Sequence, residues 1–144
     1  MDVFIRIKGT QTVDGQDDVV EMATAGTMEQ LPDGWQLCYS ESDATGMKGF
    51  TTRLRVQENR VHLERNGPHP SMLVLEKNRR HHCNYNTPYG TIDLGTYTSA
   101  LDCNLHERGG TLRFCYTLGF NGSVSSSHVV DITVQEDSHH VADC

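Results

Sequence analysis

The chain reads as an all-β domain, a single antiparallel β-barrel of about eight to ten strands with little helix. Three observations predict this. Apolar and polar residues alternate with period two along almost every segment. No stretch carries a convincing 3.6-residue period. Turn-forming clusters recur at short spacing, as they do between the strands of a sandwich or barrel. One apolar and one polar face on nearly every strand fits an antiparallel sheet closed on itself. With no internal repeat and no linker, residues 1–136 form one domain and 137–144 a disordered tail.

The elements follow in order. Val3, Ile5 and Ile7 share a face, opposite Phe4, Arg6 and Lys8. Asp14-Gly15 and Asp17-Asp18 turn the chain into a strand over 20–28. Leu31-Pro32-Asp33-Gly34 is a strong turn signal. The next strand places Trp35, Leu37, Tyr39 and Glu41 on one face, and the loop 42–49 is small and polar. Thr52, Leu54 and Val56 face in, and Glu58-Asn59 makes a two-residue hairpin turn. Val61, Leu63 and Arg65 share the next inward face before Asn66-Gly67-Pro68-His69-Pro70 breaks the chain.

Residues 72–75 are continuously apolar, which predicts cover on both faces. After a turn at Lys77-Asn78-Arg79, His81, Cys83 and Tyr85 share a face. Pro88 pre-sets φ for a turn and Gly90 tolerates φ > 0, so this hairpin is expected to pin the register on both sides. Ile92, Leu94, Thr96, Thr98 and Ala100 follow on one face, and Glu107-Arg108-Gly109-Gly110 turns the chain again. Leu112, Phe114, Tyr116 and Leu118 face in. The stretch 121–127 is polar and reads as a loop, with Val130, Ile132 and Val134 in the last strand.

Composition bounds the function. The 144 residues suffice for one domain with a full core, and 36% hydrophobic with 22% charged residues is globular. A net charge of −7 argues against a nucleic-acid partner, whose phosphates are met by Lys and Arg. The basic cluster Lys77, Arg79 and Arg80 is too short to reverse this and reads as a solvated strand end. No apolar run nears the ~18 residues of a membrane helix, and the N-terminus lacks a signal-peptide pattern. The expectation is a cytoplasmic protein with no membrane partner. Cys38, Cys83, Cys103, Cys115 and Cys144 are odd in number, dispersed and without Cys-x-x-Cys, which favours reduced thiols.

The motifs Tyr39-x-Glu41, Thr51, Leu63-x-Arg65-x-Gly67, Tyr85-x-Thr87-Pro88-Tyr89-Gly90 and Gly110-x-Leu112-x-Phe114-x-Tyr116 resemble the DUF1934 (YwiB-like) family of Gram-positive bacteria. The resemblance runs over residues 3–136, and Thr-Pro-Tyr-Gly is its most specific part. It implies a lipocalin-like (calycin-like) barrel and no particular activity. Where the family often has two acidic residues after the tyrosine, this chain has Ser40 and Glu41, so one acidic position carries over.

Strand parity places the chemistry. Glu41 shares the face of Trp35 and Leu37, and Arg65 that of Val61 and Leu63, so both charges point inward. An unpaired buried charge costs several kcal/mol, so each requires a partner or water. Either they pair with each other, closing one end of the barrel, or Arg65 takes a ligand carboxylate or phosphate. In the first case Arg65→Ala costs roughly 3–5 kcal/mol. Tyr39, Tyr85 and Tyr116 also face in, and with Thr98 they make a polar patch in an apolar interior. The candidate ligand-binding residues are thus Tyr39, Glu41, Arg65, Tyr85, Thr98 and Tyr116.

Metal and catalytic signals are weak. His81-x-Cys83 puts two ligand types on one face, but no second pair has the spacing of a structural zinc site. His139-His140 lies in the tail. Ser125-Ser126-Ser127-His128 reads as a loop, and there is no nucleophile elbow or glycine-rich phosphate loop. No metal and no cofactor is expected. Three functions stay open: a barrel holding a small, partly apolar molecule, anionic or neutral; a filled barrel acting as a structural or interaction protein; and an enzyme using Glu41 beside Arg65. An open cavity touching Arg65 favours the first. A two-fold homodimer is the default expectation for assembly.

Overall fold

The computed structural model describes residues 1–41, 48–68, 70–121 and 123–137, with 85–87 described by backbone alone. Ten strands run in chain order: β1 (Asp2–Val13), β2 (Gln16–Leu31), β3 (Gly34–Ser40), β4 (Thr51–Val56), β5 (Arg60–Asn66), β6 (Ser71–Glu76), β7 (Arg80–Thr87), β8 (Gly90–His106), β9 (Gly109–Phe120) and β10 (Ser123–Glu136). Among the described residues there is no helix, and so none long and apolar enough to cross a membrane.

The strands form one antiparallel sheet in the order β6-β5-β4-β3-β2-β1-β10-β9-β8-β7. The chain is therefore an up-and-down meander in which β10 returns to pair with β1. The sheet rolls into a nearly closed barrel whose seam lies between β6 and the β7–β8 hairpin. At the seam the Thr96 hydroxyl donates to the Val74 carbonyl at 2.9 Å, and Asn78 N–H donates to Thr98 O at 2.7 Å. Lys77, just past β6, bridges Thr98 in parallel. That sense follows from the topology, because β6 and β8 are two steps apart in an alternating meander.

Short turns set the register. Val13↔Gln16, Leu31↔Gly34, Thr87↔Gly90 and His106↔Gly109 each close a hairpin over two residues. Asp14 and Gly15 supply the positive φ that the first requires (52° and 76°). Gly110 is fixed more tightly still. Its φ is 123°, and a Cβ there would lie 2.1 Å from the Asn104 carbonyl.

The core is the inward face of every strand, with Ile5, Leu37, Leu54, Leu75, Leu112, Phe114 and Ile132 almost wholly buried. Several expectations are corrected. β1 and β8 are longer than the apolar pattern implied, because two-sided polarity does not stop a strand whose ladder partners continue. Asp17 and Asp18 already belong to β2. The polar stretch read as a loop at 121–127 is strand from Ser123 onward, paired to β9 across a bulge between Val124 and Ser126. Ser125 to His128 is therefore strand and not loop. Residues 72–75 are covered on one face only, since Leu73 and Leu75 are buried while Met72 is half exposed. Ala100 leaves the inward face because the β8 register shifts between Thr98 and Ala100, and Leu101 takes its place.

The Pro88-Tyr89 hairpin closes as expected, with Tyr85 opposite Ile92 and Cys83 opposite Leu94. Its register runs unbroken from Thr87↔Gly90 to Arg80↔Tyr97, although β7 is an edge strand at the seam. The expected loop at 42–49 lies outside the described residues except Lys48 and Gly49. The expected tail lies outside them except Asp137, whose N–H donates to Asp2 O at 2.9 Å.

Candidate functional site

A cavity of about 180 Å³ opens at one end of the barrel. Two cross-strand rows bring its polar groups together. Across β3, β4 and β5, Tyr39 pairs with Thr52 and Thr52 with Arg65. Across β8, β9, β10, β1 and β2, the row is Thr98, Tyr116, His128, Gln11 and Asp18. The cavity is lined by Tyr39, Glu41, Arg65, Tyr116 and His128, with Leu54, Leu63, Phe114, Met22 and Ile132 as apolar walls. Gly9, Gln11 and Asp18 form the mouth, and no atom would lie within 4 Å of a Cβ at Gly9.

Glu41 lies one residue past β3, but its N–H donates to Phe50 O at 2.9 Å, which carries the ladder on and keeps its side chain inward. It is buried, and the Thr52 hydroxyl donates to its Oε1 at 2.6 Å. Arg65 Nε approaches the same oxygen only to 3.9 Å. That distance permits an ion pair but no hydrogen bond. Arg65 Nε is nonetheless buried and has no hydrogen-bond partner. The rest of the guanidinium is partly open, its side chain 27% exposed.

The neighbouring groups are held neutral. Burial pushes the Tyr39 phenol far above its ordinary value, helped by the Glu41 carboxylate and opposed by Arg65 and a hydrogen bond with Thr52. Burial also raises Tyr116, against Arg65. His128 is pushed the other way, below its ordinary value, by burial and then by the Arg65 cation. Its ring stacks on Tyr116 with centroids 4.7 Å apart, and Nε2 shares a hydrogen bond of 2.8 Å with Ser126 Oγ. Among the described residues, the Tyr39 and Tyr116 phenols therefore keep their protons near neutral pH and the His128 imidazole stays uncharged, beside Arg65 and Glu41.

Of the six residues singled out from sequence, the fold gathers Tyr39, Glu41, Arg65 and Tyr116 around the cavity. Thr98 is fully buried beside Tyr116, off the cavity, with no partner for its hydroxyl. The Tyr85 side chain lies outside the described residues. Sequence reasoning missed His128, although parity contained it: counting back two from Val130 on the inward face gives 128. Among the described residues no three His, Cys, Asp or Glu side chains converge to hold a metal. His81 instead lies 2.8 Å from Glu76 Oε1, and His139-His140 lies outside the described residues.

Fold and site together define a lipocalin-like β-barrel in which Arg65 faces a cavity. The chain belongs to the DUF1934 family, a domain of unknown function, whose model matches residues 5–132. It is similar in structure to the crystal structure of the ywiB protein from Bacillus subtilis, with a TM-score of 0.81 at 21% identity over 94% of this chain and 91% of that one. That likeness is one of fold. No curated protein matches.

Proposed function

We propose that the protein is a binding module that holds a small, partly apolar, anionic molecule inside the barrel. The observation that carries this reading is Arg65 Nε, a buried donor without an acceptor, beside a cavity that opens to solvent. A buried unmet donor costs about 1–3 kcal/mol, and a ligand carboxylate or phosphate would supply the acceptor. The cavity favours this over a filled barrel. Its size limits the guest. An engineered cavity of roughly 150 Å³ in another protein takes benzene, so about 180 Å³ suits one ring or a short branched chain and not a whole long-chain fatty acid.

The compartment we propose is the cytoplasm, with no membrane or nucleic-acid partner. The outer face supports it, with cross-strand charge pairs Arg53–Glu64, Arg60–Glu76 and Arg113–Asp131 directed at water. The four described cysteines are free thiols, as in a reducing compartment.

Calorimetry with benzoate as probe tests the reading. The wild type should bind, and Arg65→Met should not. Gly9→Leu should fold normally and lose binding, because its side chain would stand in the open mouth. Equal binding by all three proteins would reject an interior site.

A further inference from the structure

The charges around the cavity narrow the ligand further, and this step rests on the binding function just described. We propose that the site selects monoanionic carboxylates over phosphate dianions, and that Glu41 is the residue that enforces the choice. Arg65 is the only formal cation among the described residues lining the cavity. Glu41 Oε1 already lies 3.9 Å from it, fixed in place by Thr52 at 2.6 Å. A second carboxylate, Asp18, stands at the mouth through which a guest must pass.

A carboxylate brings one negative charge and two acceptor oxygens to Arg65 Nε and the phenol of Tyr116. Burial keeps the proton on the Tyr116 phenol, which so remains a donor. A phosphate monoester near neutral pH carries close to two charges. It would meet the same single cation while lying against a buried carboxylate, where like charges are weakly screened. A neutral amide of the same shape gains no charge-assisted hydrogen bond from the guanidinium. The favoured guest is therefore a singly charged acid with a compact apolar body against Leu54, Leu63 and Phe114.

Benzoate, benzamide and phenyl phosphate share one ring and differ in head group. Their affinities for the intact protein at about pH 7.5, where the phosphate's second proton is largely lost, test the inference by calorimetry. Benzoate should bind at least about tenfold more tightly than either of the others, a gap of roughly 1.4 kcal/mol. Glu41→Gln should narrow the benzoate-to-phosphate gap by relieving the dianion most. Should that variant fail to fold, Asp18→Asn at the exposed mouth should raise the association rate of phenyl phosphate more than that of benzoate. Phenyl phosphate binding as tightly as benzoate, both through Arg65, would overturn the selectivity and leave the binding function standing. Benzamide matching benzoate would overturn the anionic preference. No binding of any probe, or binding unchanged in Arg65→Met, would overturn the function itself.

Discussion

Arg65 and Glu41 share an ion pair that is too long to be a hydrogen bond, and this decides what each contributes. Removing one partner of a fully buried pair costs about 3–5 kcal/mol. Here the separation is 3.9 Å, the arginine side chain is 27% exposed, and Glu41 keeps its Thr52 bond. Arg65→Ala should therefore cost only about 1–2 kcal/mol in denaturant unfolding. Arg65→Met with Glu41→Leu should restore most of it. A loss at the full buried-pair value would mean that the pair closes the barrel and is not held for a guest. His128 gives a second residue-scale test. Its folded-state pKa lies below the ordinary value near 6.5, so just below that pH the unfolded chain binds more protons. Stability is full above about 6.5 and falls as pH drops through that value toward the folded-state pKa. His62 is shifted in the same direction, by burial first and then by Arg60, so the effect is read by difference. His128→Gln should flatten the fall in Tm between about pH 7.5 and 5.5. An unchanged slope would place the imidazole in solvent.

At the scale of elements, the seam and the turns hold the barrel in register. Thr96→Val removes the side-chain hydrogen bond that ties β8 to the Val74 carbonyl of β6. It should cost about 1 kcal/mol and speed amide exchange in β6 before the rest of the sheet. Gly110→Ala should be worse, since its φ of 123° and the Asn104 carbonyl 2.1 Å from the new Cβ leave no relaxed solution. A variant as stable as wild type would show that the β8–β9 turn is looser than described. Most elements were legible in the sequence because alternation and turn residues agree. Ser123 to His128 was not, because a run of serines carries no apolar phase and its pairing to β9 is fixed from outside. The bulges at Val124/Ser126 and Thr98/Ala100 were invisible for a related reason: one extra residue resets parity without changing composition. The inward charges were legible, since Glu41 and Arg65 sit in phase with large apolar neighbours. His128 was hidden by reading its strand as a loop.

For the whole molecule, the four described thiols lie on β3, β7, β8 and β9 and none is paired. All five cysteines should titrate as free thiols in denaturant without reductant. Recovery of three or one would show a native disulfide and move the protein to an oxidising compartment. At the open end, apolar wall and the Arg65 and Glu41 side chains face the same space. A meander closed by short turns can hold such a space open because its walls are strands locked by ladders on both sides.

The proposed binding function turns on one atom, Arg65 Nε, and nuclear magnetic resonance observes it. The Arg65 Nε–H cross-peak in a ¹H–¹⁵N spectrum, assigned by its loss in Arg65→Met, reports directly on whether that donor has an acceptor. Titration with benzoate should move this proton downfield as the carboxylate accepts from it, saturating with the calorimetric affinity and leaving the outer-face arginines Arg53 and Arg113 unmoved. A cross-peak that stays fixed while benzoate saturates the protein, or that already sits at a hydrogen-bonded position without it, would contradict the account.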